Sequence, residues 1–71
     1  MSLGAQLRKA RLNAGLTQER LAAVSKLDRS YISQLENDLK SPTVDTLIRI
    51  ASALNSRASI LLARAEESDS T

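Results

Sequence analysis

TQERLAAVSKLDRSYISQLEN, residues 17–37, reads as two short helices and the turn between them. Thr17 is a good N-cap because its hydroxyl accepts an otherwise orphaned amide hydrogen bond, and Glu19 stands in the first turn, where the helix dipole favours an anion. The first helix of the pair is therefore predicted over about Gln18 to Ser25. After Lys26 and Leu27, Asp28 is a second capping residue, and Tyr31, Ile32, Leu35 and Glu36 recur at helical spacing until about Asn37. Leu21, Ala22, Leu27, Ile32 and Leu35 fall where the two helices face each other and the interior, with Ala22 small where they cross. Arg29, Ser30, Ser33 and Gln34 are left on the outward face of the second helix, near its N-terminal half.

The flanks continue the helical pattern. Leu3, Leu7, Ala10 and Ala14 make one apolar stripe, so a helix is expected from about Ser2 to Asn13, with Gly15 supplying the left-handed residue that ends it. Residues 37–42 hold the only proline and read as a connector. Thr43, or Ser41 with Pro42 at the first helical position, caps a fourth helix whose expected buried set is Val44, Leu47, Ile48, Ala51 and Leu54, closed by Asn55 and Ser56. A fifth helix is predicted from Arg57 through Ile60, Leu61 and Leu62. With Tyr31 the only aromatic residue, little favours strands. The expected fold is all-α, a compact five-helix domain over residues 1–65 followed by an acidic flexible tail, 66–71, which has no apolar residue to anchor it.

Composition bounds the chemistry. A chain of 71 residues, 42% hydrophobic and 25% charged, holds one small globular domain. It has no cysteine and no histidine, which removes disulfides, thiol and imidazole catalysis and the usual zinc ligands, so no metal site and no cofactor are expected. Asp28, Glu36 and Asp38 are close in sequence but make no acid/base pair in a pocket, and an enzyme is not expected. Ile60 to Ala63 is the longest strongly apolar run, far short of the roughly 20 residues that span a bilayer, and a cytoplasmic protein without membrane contact is expected. The net charge of +2 hides an asymmetry: without Glu66, Glu67 and Asp69, ten basic residues face five acidic ones. Such a body suits a polyanion as partner, although many soluble domains are as basic.

Whether the outward row meets a ligand or only water is not decided by polarity alone, since polar residues cover most exposed helix faces. All four side chains nevertheless suit the major groove, where base edges offer hydrogen-bond donors and acceptors. The chain resembles the λ-repressor-like helix-turn-helix family, also called the XRE or Cro/C1 type. The resemblance rests on Leu16-Thr17-Gln18-Glu19, Leu21-Ala22, Tyr31-Ile32-Ser33-Gln34-Leu35-Glu36-Asn37, Ser41-Pro42-Thr43, Thr46-Leu47 and Ile50-Ala51-Ser52-Ala53-Leu54, and covers about residues 3–65. Asp28-Arg29-Ser30-Tyr31-Ile32-Ser33 also looks like the variant found in restriction-modification controller proteins and small phage or plasmid regulators.

The resemblance implies a sequence-specific, repressor-like transcriptional regulator of double-stranded DNA, with a helix-turn-helix made by the second and third helices. At the matching positions Arg29, Ser30, Ser33 and Gln34 would read bases, Arg29 gripping guanine and Gln34 adenine. Gln18, Tyr31, Asn37 and Lys40 would meet phosphates, Gln18 also bracing the recognition helix; an exposed amide at Gln18 and a core-edge aromatic at Tyr31 are the plainer alternatives. Arg11 and Glu36 match a partly buried ion pair, where a surface pair is the alternative. Ile60, Leu61 and Leu62 cannot all face one small core, and the family pairs through this helix, so a homodimer on a pseudo-palindromic site is expected. Lys26 and Asp38 depart from the family pattern by standing where glycine is usual and positive φ is needed, and Asp38 puts an acid close to the expected phosphates. A protein-interaction module, such as an antitoxin masking a toxin with secondary DNA binding, is the competing reading.

Overall fold

Ser2, Thr17 and Thr43 start three helices by the same local device. Each has an extended backbone, and its side-chain oxygen accepts from the amide three residues on: Ala5 at 3.1 Å, Arg20 at 3.0 Å and Thr46 at 3.1 Å. The computed structural model describes residues 2–55, and the helices there are α1 (Leu3–Asn13), α2 (Gln18–Ser25), α3 (Arg29–Glu36) and α4 (Val44–Ala53). Thr43, not Ser41, caps α4, and Pro42 stands outside it. Asp28 occupies the N-cap position of α3 with extended backbone, but its carboxylate makes no capping bond. The described residues thus hold four helices and no strand; the predicted fifth helix and the acidic tail lie outside them.

The first three helices also end alike. Gly15 (φ 72°), Lys26 (φ 58°) and Asp38 (φ 58°) are left-handed. The amide after each closes a wide turn onto the helix: Leu16 to the Arg11 carbonyl at 3.1 Å, Leu27 to that of Ala22 at 2.9 Å, and Leu39 to that of Gln34 at 2.9 Å. These are Schellman caps, which satisfy carbonyls that the helix end would otherwise leave open. Only one of the three uses glycine, so the other two carry the steric cost of a Cβ at positive φ, about 1 kcal/mol or more each. Lys26→Gly is accordingly expected to raise the stability by about 0.5–1 kcal/mol, read as a higher urea midpoint at constant m-value, while Lys26→Ala, which keeps the Cβ, leaves it near wild type.

The core lies where the four helices meet. Leu7 of α1, Leu21 of α2, Ile32 and Leu35 of α3 and Ile50 of α4 are at most 2% exposed, joined by Ala22, Leu47, Ala51 and Leu54. Two expected core sets need correction. Ala14 is exposed, beyond the end of α1, and that helix instead buries Gly4, Gln6 and Arg11 beside Leu7. In α4, Val44 and Ile48 are 74% and 53% exposed, while Ile50 and Thr46 are buried. The apolar residues of α4 outnumber what one face can hold; the set 47, 50, 51 and 54, at helical spacing, turns inward and rotates Val44 and Ile48 to the rim. Among the described residues no helix is long and apolar enough to cross a membrane.

Candidate nucleic-acid interface

Burial of Ile32 and Leu35 fixes the roll of α3 about its axis, and the opposite side is therefore turned out. Arg29 and Ser30 are exposed, and Ser33 and Gln34 are half-buried. Gln18, from the first turn of α2, joins Arg29, Ser30 and Ser33 around a shallow depression; Gln34 does not line it. The structure thus gathers one residue expected at phosphates with three expected at bases. Arg29 Nε lies 3.9 Å from Glu19 Oε1, with both side chains mostly in solvent.

Glu36, at the other end of α3, is the hub behind this face. Its Oε2 accepts from Arg11 Nε at 2.7 Å and its Oε1 from Arg11 Nη2 at 3.1 Å, a two-pronged pair whose side chains are only 9% and 3% exposed. Arg11 Nη1 donates to the Leu16 carbonyl at 2.8 Å, so its guanidinium also holds the turn into α2. The Gln18 amide nitrogen donates to Glu36 Oε1 at 3.2 Å. One carboxylate thereby links α1, α2 and α3. An amide nitrogen carries two hydrogens, which leaves Gln18 one donor and its own oxygen for a further partner.

Of the remaining expected phosphate contacts, Tyr31 lies in the first turn of α3, and Asn37 and Lys40 lie at and after its end. Tyr31 is half-buried and packs against the core, and Lys40 Nζ sits 5.9 Å from its ring centroid, within cation–π range. One side of Tyr31 thus packs at the edge of the core, and an ammonium stands over its ring. Asn37 Nδ2 donates to the Ser33 carbonyl at 2.9 Å. Asp38 does not stand loose beside this group: its carboxylate accepts from Ser2 Oγ at 2.5 Å and from the Gly4 amide at 3.0 Å. Ile60, Leu61 and Leu62, expected at a dimer interface, lie outside the described residues.

Two participants escape sequence reading. Glu19 is legible only as a first-turn anion, yet it stands beside Arg29. Gly4 has no turn to make; a glycine inside a helical pattern points at most to a packing reason, and here it touches the end of α3. No group of three or more His, Cys, Asp or Glu that could hold a metal ion occurs among the described residues.

Comparison with known proteins supplies relatives for this geometry. A family profile described as helix-turn-helix matches residues 7–61. The chain is 35% identical over 68 residues to the HTH-type transcriptional regulator ImmR of Bacillus subtilis, covering 96% of this chain and 54% of ImmR. It is 40% identical over 62 residues to the control protein C.SmaI of Serratia marcescens, covering 87% of this chain and 74% of that protein. The crystal structure of the restriction-modification controller protein C.AhdI from Aeromonas hydrophila superposes with a TM-score of 0.81 at 36% identity, covering 83% of this chain and 89% of that one. The chain thus spans about half of ImmR but most of the two controller proteins.

Proposed function

Because this chain belongs to the helix-turn-helix family of Cro/C1-type transcriptional regulators, we propose that it binds double-stranded DNA sequence-specifically, in a repressor-like role, with α3 in the major groove. The observation that carries this reading is the division of α3. Ile32 and Leu35 are sealed in the core, and Arg29, Ser30, Ser33 and Gln34 project from the other side of a helix anchored behind by Glu36. Arg29 grips guanine O6 and N7, and Gln34 pairs with adenine N6 and N7. Gln18, Tyr31, Asn37 and Lys40 hold the phosphates on either side and set the register of the helix. Two copies joined through Ile60, Leu61 and Leu62 place their recognition helices about one DNA turn apart on a pseudo-palindromic site.

The magnitudes favour this use of Arg29. Its exposed pairing with Glu19 contributes under about 1 kcal/mol, whereas a two-pronged contact to guanine discriminates by about 1–3 kcal/mol. The weak pair with Glu19 thus leaves Arg29 available to the groove.

Selection of binding sites from random duplex DNA by the purified chain tests the proposal: a single enriched, roughly two-fold symmetric sequence is expected, and enrichment of none would overturn it. On that sequence Gln34→Ala is expected to lose about 1–3 kcal/mol, confined to one base position per half-site. Lys40→Ala should instead weaken all sequences alike and reduce the slope of log K against log salt by about one per subunit, as loss of one phosphate contact requires.

A further inference from the structure

Asp38 stands in a backbone conformation that disfavours any residue with a Cβ, although aspartate tolerates it better than most. What it does there is bind another helix. Oδ1 accepts from the Gly4 amide at 3.0 Å and Oδ2 from Ser2 Oγ at 2.5 Å, while Ser2 Oγ itself accepts from the Ala5 amide at 3.1 Å. The carboxylate thus covers the positive end of the α1 dipole, across 34 residues of sequence. The approach is as close as backbones allow. A Cβ on Gly4 would collide with the Leu35 carbonyl oxygen and lie 2.6 Å from Asp38 Oδ1 and 2.8 Å from the Glu36 carbonyl oxygen. The start of α1 therefore rests directly on the last carbonyls of α3, positive dipole end against negative.

This clasp sits next to Asn37 and two residues before Lys40. Leu39 between them is 74% exposed, and Lys40 rests on the outer side of Tyr31, so the segment has little packing of its own. We propose that Asp38 is a positioning residue for DNA binding: by docking the N-terminus of α1 on the end of α3, its carboxylate fixes the segment from which Asn37 and Lys40 reach the phosphates. The inference rests on the DNA-binding reading above. It runs against the simple electrostatic expectation that an acid near phosphates weakens binding.

The test is a double-mutant cycle on the selected duplex, with Asp38→Gly and Lys40→Ala alone and together. Asp38→Gly keeps the left-handed turn free of strain and deletes only the carboxylate, so the domain is expected to stay folded by circular dichroism. Its affinity is expected to fall about three- to tenfold, the worth of the lost hydrogen bonds, and the salt slope to flatten by about one per subunit. Lys40→Ala should then cost little more in the Asp38→Gly background than in it alone. Asp38→Asn, which keeps an acceptor for the Gly4 amide, is expected to retain the full Lys40 effect. Faster amide hydrogen exchange at Gly4 in Asp38→Gly, with α2 still protected, would place the loss at the clasp. A rise in affinity on removing the carboxylate, or strictly additive losses with an unchanged salt slope, overturns the positioning role while leaving DNA binding intact. If the parent chain prefers no duplex and Lys40→Ala changes nothing in it, both readings fall together.

Discussion

Glu36→Ala is expected to leave most molecules unfolded at room temperature. The carboxylate is 3% exposed and receives three hydrogen bonds, two from Arg11 and one from Gln18. Its removal strands a guanidinium that is itself 9% exposed. Breaking such a buried pair from one side costs about 3–5 kcal/mol, and a core of this size supplies about that much in total. Urea denaturation followed by circular dichroism checks it: a loss under about 1 kcal/mol, the value of a solvated surface pair, would show that the pair does not behave as buried. Arg11→Met with Glu36→Leu is the informative companion, since replacing both partners by apolar groups of similar volume recovers most or all of the stability. That double variant should nevertheless bind DNA less well than wild type, because Gln18 loses the oxygen that orients its amide.

Ile32→Ala ranks second. Ile32 is 1% exposed, in one core with Leu21 and Leu35, and truncation removes buried methyl groups and leaves a cavity that the short helices fill only in part. The expected loss is about 2–5 kcal/mol. Ser30→Ala and Ser33→Ala, its neighbours on the other side of the same helix, should each change stability by no more than about 0.5 kcal/mol. DNA affinity separates them in the opposite sense. Ile32→Ala should lose apparent affinity only in proportion to the unfolded fraction, recovered by cooling or by excess duplex, while a serine that touches a base loses affinity with the fold intact. Equal stability losses at Ile32 and Ser33 would mean that α3 is rolled differently about its axis.

The parts of the fold written in local chemistry are legible in the sequence. Thr17 and Thr43 cap through their own hydroxyls within one turn, and Gly15 ends α1 by its own φ, so the end of α1 and the starts of α2 and α4 follow from short-range pattern. The roll of α4 is not legible, because six apolar positions fit more than one face and only the neighbouring helices choose Ile50 over Ile48. At the candidate site, helical spacing suffices to separate Ile32 and Leu35 from Arg29, Ser30, Ser33 and Gln34. Bonds from Gln18 to Glu36 and from Gly4 to Asp38 span 18 and 34 residues, and no local rule pairs them. Asp38 illustrates the limit: as a sequence departure it reads as an acid turned toward phosphate, and in the fold that acid is occupied by another helix.

The two ends of α3 are held very differently. Glu36, Asn37 and Asp38 tie down its C-terminal end, whereas Asp28 makes no capping bond and Arg29 and Ser30 extend into water at the other. Residues that keep the domain folded and residues that would choose its operator thus interleave along one short helix but occupy opposite sides of it. If the proposed reading holds, a lineage carrying this scaffold can exchange Arg29 and Ser30 at little cost to folding, drifting from one target sequence to another without passing through an unstable ancestor.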